Sequence, residues 1–251
     1  MDDGNNQGSG DKVDLELPEV QKTLLEKIVV LGKPTVLCLM AGSAINLSYA
    51  QEHCNGILLT WYPGARGGKA IADLLFGNVS PSGKLPVTFY KSLENLPPFT
   101  DYSMKNRTYR YIEETPLYPF GYGLTYSDVV LKHAEIIGTI ESEKDINLIV
   151  TLKNQGRVAV EEVVQIYIKD EQSIYAVKNF SLCGFKRVGL GVNEEKQVSM
   201  SIPFDCLKAV NLEGEKVLDS RKFTLFVGLC GPDKRSVELT GKEPIRIPFE
   251  L

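Results

Sequence analysis

Carboxyl groups crowd the start of the chain. Asp2, Asp3, Asp11, Asp14 and Glu16 all fall within MDDGNNQGSGDKVDLE. Two neighbouring carboxyls can divide glycosidic work, one acting as nucleophile or base and the other donating a proton. A solvated, charged terminus has the same composition. A second place for chemistry is GILLTWYPG, where Trp61 and Tyr62 close an apolar run just before Pro63-Gly64. Rings at the carboxyl edge of a parallel sheet are placed to touch a ligand or to pack on a neighbouring domain. Both readings of Trp61 and Tyr62 stand.

Other chemistries find less support. Ser43 in MAGSAIN lacks the G-x-S-x-G frame of a nucleophile elbow and reads as a turn or helix-capping serine. GARGGK has a glycine-rich look but not the phosphate-loop spacing, and Ala70 stands where Ser or Thr is needed. It reads as close backbone packing at a strand-to-helix turn. The only histidines are His53 and His133, and the five cysteines (Cys38, Cys54, Cys183, Cys206, Cys230) form no CxxC pair. That pattern argues against a zinc site. It predicts buried free thiols in a reducing compartment.

Composition bounds the rest. Hydrophobic residues make up 43%, charged residues 24%, and the net charge is -4. These are globular values. No basic stripe suggests nucleic acid, and no apolar run approaches the roughly 20 residues of a membrane span. The first residues carry neither the basic nor the apolar region of a secretory signal. With the odd cysteine count, that leads to an expected cytoplasmic location.

The elements that must position these residues fall into two patterns. The spacing of Val20, Leu24, Leu25, Ile28 and Leu31 predicts an amphipathic helix over 18–31. Apolar runs predict buried strands at PTVLCLMAG, NGILLTWY and LPVTFY, with helices at 44–53 and 65–77 between them. The order α-β-α-β-α-β implies a parallel-rich sheet covered by helices, an α/β three-layer sandwich that begins in mid-pattern. From Val129 the pattern is strands only. Segments from DVVLKHAEIIG to RSVELTG read as seven strands of a fibronectin-III or immunoglobulin-like sandwich. Residues 91–128 lie between, a connector far above ordinary loop length. It is rich in aromatic rings, above all in PLYPFGYGLTY. The expected units are therefore 1–90, 91–128 and 129–251.

Taken in order, GILLTWYPGARGGKAIADLLFGNVSPSGKLPVTF, NRTYRY and PLYPFGYGLTY, followed by a sandwich containing GFKRV, resemble the C-terminal half of family 3 glycoside hydrolases. The resemblance covers essentially the whole chain. It implies a β-glucosidase or β-xylosidase type of enzyme with a retaining mechanism, acting on β-linked gluco- or xylo-saccharides and using no cofactor. It further implies that the catalytic nucleophile is an Asp on a barrel absent from this chain, so no catalytic residue carries over. Asp11 and Lys12 match a Gly-Asp-Arg or Gly-Asp-Lys pattern of the family. With Trp61 and Tyr62 they are the substrate-binding candidates. Arg107, Tyr109, Arg110, Tyr118, Phe120 and Tyr122 of the connector are expected to pack domains together, the arginines stacking on rings or pairing with carboxylates. A chain completed by a barrel would take a β-linked oligosaccharide or glycoside. The alternative is a non-catalytic carbohydrate-binding or scaffold protein.

Overall fold

The computed structural model describes residues 14–94 and 96–251. Asp2, Asp3, Asp11 and Lys12 lie outside them. The first unit opens with helix α1 (Glu19–Val30), whose first turn begins at Pro18, where a missing N–H costs nothing. The helix stops at Gly32, which takes the left-handed conformation at φ 64°. Strand β1 (Val36–Leu39) and strand β2 (Gly56–Leu59) pair in parallel, with helix α2 (Ser48–His53) between them and helix α3 (Gly67–Leu75) after them. A small core of Leu25, Leu39, Ala41, Ile45, Leu47 and Ala50 joins these elements, with Phe89 and Leu117. Of the apolar stripe predicted on α1, only Leu25 is buried; Val20, Leu24, Ile28 and Leu31 are exposed.

The segment expected as the third parallel strand takes another partner. Residues 85–90 pair antiparallel with the connector, through a bridge between Phe89 and Tyr118. Leu85 N–H donates to the Tyr122 carbonyl, and Gly121 N–H donates back to the Leu85 carbonyl, both at 2.8 Å. An apolar run states that a strand is buried but not which strand it meets, and here the connector competes successfully.

The second unit is a sandwich of two sheets. One holds strands β3 (Val129–Ile137), β4 (Ile146–Asn154) and β7 (Glu195–Ile202) in the order β3-β4-β7. The other holds β5 (Val160–Asp170), β6 (Ser181–Leu190), β10 (Lys222–Gly228) and β11 (Ile245–Glu250) in the order β11-β10-β5-β6. A short ribbon, β8 (Ala209–Val210) with β9 (Lys216–Val217), stands outside both. Alternation packs the core: Leu148, Val150 and Leu152 of β4 meet Val164, Ile166 and Ile168 of β5 and Leu225 and Val227 of β10.

Two assignments change. RSVELTG forms helix α4 (Lys234–Thr240), not a strand. Asp233 caps it by accepting the Ser236 N–H at 2.8 Å, and Gly241 ends it at φ 67°. These local signals outweigh β-branched content. The seventh sandwich strand is instead β11, with Pro248 inside it. It lies at a sheet edge, where a proline is tolerated. No helix among the described residues is long and apolar enough to cross a membrane.

Candidate functional site

The carboxyl edge of the parallel pair presents two aromatic residues in opposite ways. Pairing continues one residue past β2, where Thr60 donates to the Leu39 carbonyl through both N–H and hydroxyl. Trp61 then takes φ 52°, a left-handed conformation that is costly for a bulky side chain. Trp61 is partly buried against the first core. Tyr62 is 81% exposed. Its ring lies over the loop that follows β1, so close that a Cβ on Gly42 would sit 2.3 Å from a ring carbon. Only glycine permits that approach. Met40 is exposed in the same loop. The result is a ring that touches the loop backbone near its hydroxyl end and is otherwise open, a surface suited to a sugar ring or to an apolar neighbour.

The other motifs near this edge settle as packing. Ser43 is exposed in a bend. Neither histidine serves it, since His53 rests on the Tyr49 ring and His133 faces Glu135. The GARGG turn closes on itself, with Gly67 N–H donating to the Gly64 carbonyl. Among the described residues no group of three or more His, Cys, Asp and Glu could hold a metal.

The connector lies between the two units, and its rings reach both. Tyr118 packs on the α/β core, where Phe89 meets it edge-on, and Tyr122 stacks on it with centroids 5.4 Å apart, near Arg235 and Cys230 of the second unit. Phe120 packs on the sandwich. It stacks on Tyr109 at 4.2 Å, and both meet Tyr167 of β5 edge-on. Tyr109 hydroxyl also accepts the Leu182 N–H of β6. Arg107 donates to the carbonyls of Pro97 and Pro98 within the connector. Arg110 lies over the ring of its own neighbour Tyr109, 5.8 Å from the centroid.

Direct bonds tie the units as well. Lys84 and Glu162 form an ion pair at 2.7 Å with side chains only 10% and 5% exposed. Lys84 also donates to the Gly123 carbonyl at 2.6 Å. Gln165 donates to the carbonyls of Gly121 and Leu229 and accepts the Tyr167 hydroxyl. Gly121, at φ 80°, passes beneath this pair of side chains. Sequence reasoning missed Lys84, Glu162 and Gln165, because nothing in a charged or amide residue announces a partner distant in the chain, such as those of Gln165 at 44 and 64 positions away. A groove of about 220 Å³ remains between the units, lined by Leu85, Pro86, Phe120, Leu182, Phe185 and Arg187. Its lining is mostly apolar; of its polar groups, Lys84 and Gln165 are held by the bonds just described, and Arg187 bonds Ser82 and Glu161.

Among the described residues no carboxyl group is displaced toward a raised proton affinity. Every described carboxyl group whose pKa is displaced is displaced downward. Asp73 is held down by hydrogen bonds from Lys69 and Asn78, Asp101 by those from Ser103, Glu113 by Lys178, and Asp205 by Lys216 and Lys208. A glycosidic proton donor needs the opposite displacement.

Comparison with known proteins accords with this picture. Residues 2–126 match the glycosyl hydrolase family 3 C-terminal domain. Residues 162–229 match the fibronectin type III-like domain. A putative beta-xylosidase of Formosa agariphila is 37% identical over 95% of this chain and 32% of its own length. A xylan 1,4-beta-xylosidase of Xylanibacter ruminicola is 35% identical over 92% of this chain and 27% of its own. Among solved structures, a β-glucosidase from Erythrobacter marinus superposes with a TM-score of 0.81 at 31% identity, over 97% of this chain and 32% of that one. The β-glucosidase of Listeria innocua in complex with isofagomine gives 0.80 at 28% identity, over 96% and 34%. This chain thus spans about a third of the length of the relatives it matches. It belongs to glycoside hydrolase family 3, of which it carries the C-terminal α/β domain and the fibronectin type III-like domain.

Proposed function

We propose that the chain is the C-terminal portion of a retaining β-glycosidase acting on β-linked gluco- or xylo-saccharides. Alone it is inactive, and activity requires a nucleophile-bearing barrel. The observation that carries this reading is the match over more than nine-tenths of the chain to β-xylosidases and β-glucosidases of about three times its length. A retaining mechanism needs two carboxyls about 5 Å apart, one ionised to attack and one protonated to donate. The displaced carboxyls of the described residues are all of the ionised kind. The exposed ring of Tyr62 and the uncovered apolar side of α1 are the surfaces such a barrel would meet.

The test is hydrolysis of aryl β-glucosides and β-xylosides by the purified chain, first alone and then mixed with the barrel of a family 3 relative. The expected result is no turnover alone and turnover on mixing, weakened by Tyr62→Ala. Turnover by the chain alone would overturn the assignment of the nucleophile. Sugar binding with no turnover in either arm would instead support a carbohydrate-binding module.

A further inference from the structure

The glycosidase reading leaves the thiols of the sandwich unused. Cys183 lies at a β-bulge on β6, where pairing with β5 passes from Ile166↔Gly184 to Tyr167↔Leu182. Cys183 therefore has no opposite residue on β5. A bulge takes a side chain out of the alternation of its strand and re-aims it. The Cys183 thiol donates to the Ile166 carbonyl at 3.2 Å and packs against the sandwich core. Cys206 comes from the 3₁₀ turn Phe204–Leu207, which follows β7 of the other sheet. It packs against the same core, and its sulfur lies 3.9 Å from the Cys183 carbonyl oxygen. Strands β6 and β7 are edge strands of the two sheets, and they lie against each other. A cysteine of one sheet thus meets a cysteine of the turn that leaves the other, on the side where the two edge strands are joined by side-chain hydrogen bonds from Lys186 and Lys196 and not by a backbone ladder. The Cys206 sulfur already lies against the Cys183 backbone, and both side chains pack on the same core, which brings the two thiols into one neighbourhood.

We propose that Cys183 and Cys206 are a modification site, closing an inter-sheet disulfide when exposed to a small-molecule disulfide such as oxidised glutathione. The Cys206 thiolate attacks one sulfur of the reagent and releases one thiol, leaving a mixed disulfide. The Cys183 sulfur then gives up its proton to solvent, attacks the Cys206 sulfur and releases the second thiol. Two protein thiols are oxidised by two electrons, and the reagent's S–S bond is reduced to two thiols. The order follows from exposure. Cys206 is half-buried, its pKa raised by burial and by Asp205, with Lys216 opposing. Cys183 is buried more deeply, and burial pushes its thiol further up. The thiolate is the reacting form, so closure is slow at neutral pH and faster as pH rises.

The test incubates the full chain with oxidised glutathione near the ordinary thiol pKa of about 8.5. It is followed by acid quench, unfolding, alkylation and peptide mapping without reductant. The expected result is loss of two of the five thiols, a single crosslink between the Cys183 and Cys206 peptides, and a higher urea midpoint than the reduced chain. Cys206→Ser should abolish the crosslink. The map of the unaltered chain decides even where that variant unfolds. Five alkylated cysteines, a glutathione adduct persisting on Cys206, or a crosslink to any other cysteine would overturn the proposal.

Discussion

Replacing Lys84 by Met should do more damage than any other single charge removal in this chain. The Lys84 ammonium lies 2.7 Å from Glu162, with both side chains nearly sealed from water. Methionine fills most of the same volume but leaves the Glu162 carboxylate leaning on the neighbouring Val163 N–H. It also removes the donor to the Gly123 carbonyl. Breaking one side of a buried pair costs about 3–5 kcal/mol, because the remaining charge stays buried without its partner. At about 1.4 kcal/mol per factor of ten, the folding equilibrium should move by a hundredfold or more. Removing both charges, as in Lys84→Met with Glu162→Leu, should recover most of the loss. The pair joins the α/β unit to the sandwich, so the damage should also uncouple them. Urea unfolding reads both effects. Trp61, the only tryptophan, reports on the α/β unit by fluorescence, and far-UV circular dichroism is dominated by the sandwich strands. In Lys84→Met the fluorescence transition should come earlier than the dichroism transition. A loss below about 1 kcal/mol would refute the reasoning, since that is the range of solvated ion pairs. So would a double variant no more stable than the single one.

Gly121→Ala should destabilise by about 2–4 kcal/mol, through left-handed strain and a Cβ placed 2.3 Å from Gln165 Oε1 and 2.5 Å from the Tyr167 hydroxyl; chemical denaturation checks it, and an unchanged midpoint would show that the connector shifts freely. Burial, helped by nearby Tyr122 and opposed by Arg235, pushes the Tyr118 phenol up to about 12. The fold prefers the neutral phenol, so its stabilisation is complete below the ordinary tyrosine value of about 10 and is lost as pH climbs toward 12. Tyr118→Phe should therefore unfold less readily than wild type in that window, measured by dichroism against pH. Asp73 has its pKa lowered by Lys69 and Asn78, so its contribution is present above the ordinary carboxyl range and lost on acidification through the lowered value. Asp73→Asn should lower the thermal midpoint above the carboxyl range and make its fall in acid less steep, so that the two midpoint-against-pH curves converge at low pH.

The amino-acid sequence alone carried the two-part architecture, the parallel pair, six of the seven sandwich strands and the family. Each of these rests on local information: hydrophobic period, Gly and Pro punctuation, and motif order. It also placed Trp61 and Tyr62 at a strand end, because an apolar run halted by Pro63-Gly64 must end there. It misread RSVELTG because β-branched and apolar content outweighed the Asp233 cap and Gly241 stop, and it passed over β11 because Pro248 interrupts the run. The tertiary structure alone decided that residues 85–90 pair with the connector, that Tyr118 packs on the α/β core while Phe120 packs on Tyr167 of the sandwich, and that Lys84 meets Glu162. It alone showed Gly42 beneath Tyr62, and Cys206 against Cys183 across the two sheets. These are contacts between residues distant in the chain. Their energies depend on burial and on geometry to within an ångström, and neither quantity is written in residue type or local spacing.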